Sequence, residues 1–182
     1  MTASSTKSGT KIVYLGLLLA LSLILSYVEN LIPLSFSIPG IKLGLSNFPV
    51  VVTLFVLSPL DALILSTVKA LFGSILFGNL FACIYSLTGA LISCIFMIAL
   101  TNVKKLHAFS ISAVGGIMHN VGQFCVAFLV LKSDGLLYYL PFLLLSGFVC
   151  GLLLGIVAYM CIPYILRWIN SSSNQLVGRG KS

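Results

Sequence analysis

Apolar residues run along this chain in long blocks separated by short polar breaks, and the lengths of the blocks predict its architecture. The first, Ile12 to about Val28, is long enough to cross a hydrocarbon core of about 30 Å at a helical rise of about 1.5 Å per residue. A shorter stretch, Phe48 to about Leu57, follows, and Ser58-Pro59 makes a tight connection out of it. Four full-length blocks then cover Leu60–Phe77, Leu80–Leu100, Phe109–Leu131 and Leu136–Leu166. Gly78-Asn79, the polar run TNVKKLH and Lys132-Ser133-Asp134-Gly135 divide them. The pattern predicts an all-α integral membrane protein, a bundle of six transmembrane helices in one domain over residues 11–168. A Ser/Thr-rich disordered tail (1–10) precedes it and a basic polar tail (169–182) follows.

The longest break is also the least loop-like. From Tyr27 to Pro49, YVENLIPLSFSIPGIKLGLSNFP, the chain carries Glu29, Lys42, three prolines, two glycines and a Ser-Asn pair. Non-helical backbone at membrane depth is tolerated only where protein or a water-filled cavity covers its polar groups. This stretch therefore predicts a structured outer loop between the first and second helices, capping a cavity. Ser46 or Asn47 is placed to cap the following helix, and Pro49 falls in its first turn, where a missing N–H costs nothing.

Composition narrows the class. With 59% apolar and 7% charged residues among 182, the chain is unlike a soluble globular domain. The net charge of +7 comes from basic residues near chain ends and between blocks, which suits membrane orientation rather than a nucleic-acid surface. With the N-terminus cytoplasmic, Lys7, Lys11, Lys104, Lys105, Arg167, Arg179 and Lys181 fall inside and only Lys42 and Lys132 outside. Both termini are thus predicted cytoplasmic, in a multi-pass protein of the cell membrane. No A-x-A-like cleavage site follows the first block, so it reads as an uncleaved span. The five cysteines are scattered through apolar runs with no CxxC pair, as buried inert residues are; no metal or cofactor is expected.

A few polar residues interrupt the apolar blocks. Lys69 lies near the middle of its block, where a lysine costs at least ~2.5 kcal/mol on insertion scales and faces a cavity or a partner. Asp61, by contrast, suits a helix N-terminus. His119 and Gln123 are four residues apart and Asn120 and Gln123 three, so the three can share one helical face. Two readings stand side by side. In one, Lys69 pairs with Glu29 or Asp61, and the His119 face supplies hydrogen bonds between helices. In the other, Glu29, Lys42, Asn47, Lys69, Asn79, His119, Asn120 and Gln123 form an outward-opening site for a small anionic or polar solute. Enzyme readings fail by elimination: three scattered acids cannot hold catalytic Mg²⁺, and no nucleophile elbow or phosphate-binding loop is present.

The stretches YVENLIPLSFSIPGIKLGLSNFPVV, DALILSTVKALFGSILFGN, GGIMHNVGQ and YYLPFLLLSGFVCGLLLG, spread over roughly Leu15 to Ala158, resemble the Gx transporter family, also labelled heptaprenyl diphosphate synthase component I. That family is similar to the substrate-binding S components of energy-coupling factor (ECF) transporters. The resemblance implies six membrane helices, a pocket on the outer side under the first loop, and a membrane coupling subunit with ATPases as partner. It further implies a small-residue face on the first helix for that subunit, matched in spacing by Gly16 and Ala20. The synthase label implies an alternative, an accessory membrane subunit of an isoprenoid- or quinone-related system, although no residue pattern in the chain indicates prenyl transfer.

Overall fold

The computed structural model describes residues 8–31, 43–103 and 105–179, and every regular element among them is a helix. The first, α1 (Ser8–Leu31), is longer at both ends than its apolar block. Ser8–Thr10, expected in the disordered tail, form its first turn. Tyr27–Leu31, expected in the capping loop, continue it, because no proline or glycine intervenes before Pro33; Asn30 donates its side-chain amide to the Ser26 carbonyl at 2.9 Å. Lys42 lies outside the described residues.

A 3-10 turn, Leu45–Asn47, leads into α2 (Phe48–Val56), and α3 (Pro59–Phe77) follows directly. Gly44 opens the turn at φ 70°, a left-handed conformation that glycine adopts without steric penalty. Asn47 stands at the N-cap of α2 but makes no capping hydrogen bond, because its side-chain oxygen is taken by Lys69. Ser58 does cap α3: its hydroxyl accepts from the Asp61 N–H at 3.2 Å. The rest of the bundle is α4 (Leu80–Thr101), α5 (Ala108–Leu131), a second 3-10 turn (Asp134–Tyr138) and α6 (Leu140–Arg179).

Five helices are long and apolar enough to cross a membrane. The exception is α2, whose nine residues reach only about 13 Å. Two contacts nevertheless show that it carries the chain from one end of the bundle toward the other. At the upper end, the Glu29 carboxylate near the close of α1 accepts the Gly44 N–H. At the lower end, Lys11 near the start of α1 lies 2.9 Å from the Asp61 carboxylate in the first turn of α3. The Tyr14–Trp168 ring pair, centroids 5.6 Å apart, brings the far part of α6 to the same lower level.

α2 touches α1, α3, α5 and α6, so it lies inside a ring rather than in its wall. Val50, Val51, Val52, Leu54 and Val56 are buried, and with Leu65, Cys94, Met97, Ile111 and Ala158 they make the core. That core fills the lower half of the bundle. Above the N-terminal turn of α2 no helix among the described residues replaces it, and space remains.

Candidate functional site

Backbones set the walls of that space. α5 packs so closely on both neighbours that side chains are excluded. A Cβ on Gly116 would lie 2.1 Å from the Gly147 carbonyl oxygen of α6, and one on Gly122 would lie 2.9 Å from the Gly89 Cα of α4. Gly147, Gly151 and Gly155 recur every fourth residue on α6 and give α5 a flat groove, a spacing known to bring membrane helices together. Hydroxyls and an amide tie the seams: Ser93 donates to the Gly115 carbonyl at 2.8 Å, Ser112 to the Gly151 carbonyl at 2.7 Å, and Asn120 to the Leu143 carbonyl at 2.7 Å.

The result is a cavity of about 150 Å³ in the upper half of the bundle. Glu29, Asn47, Lys69, His119, Asn120 and Gln123 all line it, together with Val51 at the head of α2. Lys69 is only 6% exposed, and its ammonium donates to the Asn47 side-chain oxygen and to the Ser46 hydroxyl. Charge-assisted hydrogen bonds of this kind offset the desolvation of a buried cation. Asp61, considered as a partner for Lys69, sits eight residues earlier on α3, about 12 Å lower along the helix, where Lys11 engages it. The other candidate partner, Glu29, is held by the Gly44 N–H. The short GLSN turn is therefore gripped by an acid of α1 at its start and a lysine of α3 at its end.

On α5 the Gln123 amide donates to His119 Nε2 at 3.0 Å, which leaves the ring proton on Nδ1. Asn120 uses its amide to hold α6 and is as much a clamp as a lining group.

Asn79 is not part of the cavity. It is exposed and caps α4, its side-chain oxygen accepting the Ala82 N–H at 2.8 Å, a role that an Asn just before an apolar block advertises. Gly16 and Ala20 are exposed on the outer face of α1, and a Cβ on Gly16 would touch no described residue within 4 Å, so this face takes no part in packing among the described residues of the bundle. Many lining residues went unassigned in the sequence, among them Tyr85, Ser112, Cys150 and Gly151. The four-residue spacing of Gly147, Gly151 and Gly155 was the available signal for that wall. Tyr85, Ser112 and Cys150 look like any other residues of an apolar block. Among the described residues no group of His, Cys, Asp and Glu is arranged to hold a metal ion.

The family described as heptaprenyl diphosphate synthase component I matches residues 18–161. No match is found among curated proteins or among solved structures.

Proposed function

The chain belongs to the heptaprenyl diphosphate synthase component I family, and on that premise we propose that it is the substrate-binding membrane subunit of an energy-coupling factor type transporter, capturing a small polar or anionic solute. The observation that carries this reading is the cavity, where Lys69 and a set of hydrogen-bonding side chains from α1, the Leu45–Asn47 turn, α3 and α5 meet in otherwise apolar surroundings. Polar groups converging on a concave, pre-formed site are the usual mark of ligand recognition. The lower end of the bundle is the cytoplasmic one in this proposal, since the lysine and arginine excess lies there, and the cavity faces outward. The chain has no ATP-binding motif, so its work is capture, and coupling falls to partner subunits with ATPases that dock on α1.

The family description favours a second reading, an accessory membrane subunit of an isoprenoid- or quinone-related enzyme. The size of the cavity supports the first. At about 150 Å³ it matches engineered cavities that take up a single benzene, too small for a long prenyl chain.

Native mass spectrometry of the purified full-length protein tests the proposal, with a retained small polar molecule as the expected result. Lys69→Met should then weaken its binding at least about tenfold, or about 1.4 kcal/mol. Co-purification with a prenyl synthase and no retained molecule would favour the accessory reading instead.

A further inference from the structure

The cavity is electrically polarised along the bundle axis. Of the three acids in the chain, Asp61 is bound to Lys11 at the lower end and Asp134 is exposed in the upper 3-10 turn, which leaves Glu29 alone at the cavity. Lys69 is the one lysine among its described lining residues. Their relative heights follow from the helices that carry them. Ser26 of α1 is level with Gly73 of α3, since the Ser26 hydroxyl would lie 3.7 Å from a Cβ there, and the Tyr27–Phe77 ring pair confirms the register. Glu29 is three residues above Ser26 and Lys69 four below Gly73. At about 1.5 Å per residue their backbones differ in height by about 10 Å.

The surroundings sharpen each pole. Beside Lys69 stands the N-terminal turn of α2, which no side chain caps, so the positive end of that helix dipole adds to the ammonium. Glu29 accepts the Gly44 N–H through Oε1, and among the described residues Oε2 has no hydrogen-bond donor. The other described lining residues include no further lysine, arginine or acid; Gly73, Tyr85, His119, Gln123 and Gly147 are among them. A purely anionic solute would meet repulsion at Glu29, and a simple cation would meet it at Lys69.

We propose that the solute is amphoteric, with its anionic group toward Lys69 and the head of α2 and a protonated nitrogen toward Glu29, the two charges less than about 10 Å apart. The inference rests on the capture reading and adds the chemical class.

Three kinds of probe of matched length test it by calorimetry on the full-length protein in lipid nanodiscs: the amino acids γ-aminobutyrate and ε-aminocaproate, the carboxylates butyrate and caproate, and the amines butylamine and hexylamine. At least one amino acid should bind tenfold or more tighter than its carboxylate and its amine. Glu29→Gln keeps a side-chain carbonyl to accept the Gly44 N–H, so the fold is retained, which its melting temperature checks. In that variant the advantage of the amino acid over the carboxylate should vanish. Carboxylates that bind as tightly as the amino acids, and tighter still in Glu29→Gln, would overturn the amphoteric class and leave an anion receptor. Failure of all six probes would also overturn it; a solute retained on purification would then confine the failure to the charge argument, and no retained solute would extend it to capture itself.

Discussion

At the scale of single residues, glycine and asparagine do opposite things in this protein. Glycine matters by the room it leaves. A methyl group on Gly116 meets a carbonyl of the neighbouring helix, which neither backbone can yield without reopening the α5–α6 seam. Gly116→Ala should destabilise the protein by ~1–3 kcal/mol, the range for overpacking, read as a lower melting temperature. Gly16→Ala, with open space around it, should leave melting unchanged. Asparagine matters by where it stands along its helix. Asn47 and Asn120 sit at the cavity, whereas Asn79 spends its carbonyl on the first turn of α4. Asn79→Ala should cost about 1 kcal/mol in stability, the typical loss of an N-cap, and leave solute affinity unchanged. A fall in affinity with unchanged melting would return Asn79 to the site.

At the scale of elements, the apolar blocks gave away the helices because burial of the backbone in lipid forces helix wherever the chain is apolar for long enough. The ends were less legible. Tyr27–Leu31 are polar enough to look like loop, yet the helix runs on through them, since no proline or glycine falls among them. The position of α2 could not be read at all: its Val-rich sequence suits lipid and protein interior equally, and only the ring of helices around it distinguishes the two. Six of the residues singled out for chemistry, Glu29, Asn47, Lys69, His119, Asn120 and Gln123, meet at one cavity, because polar groups in apolar helices must turn toward one another or toward water. The flat glycine wall opposite them was hidden, since small residues carry no sign of which neighbour they approach. The outer face of α1 bears on partnership. Double replacement of Gly16 and Ala20 by leucine should abolish co-purification with a coupling subunit while the isolated protein keeps its melting temperature. An undiminished complex would mean that the partner docks elsewhere.

At the scale of the whole molecule, the unequal filling of the two halves decides how the protein can behave in a membrane. Val52 and Val56 of α2 are each only 1% exposed, with Ala62 and Cys94 at 0% in the same core, so the described residues of the lower half leave no wet path. Vesicles that contain the chain alone should therefore retain a trapped ionic dye as long as empty vesicles do, and faster leakage would contradict a sealed lower half. The half-length of α2 thus makes the protein a cul-de-sac. On the capture reading proposed above, whatever enters from above comes to rest against the valines of α2, with packed core rather than a channel beneath it.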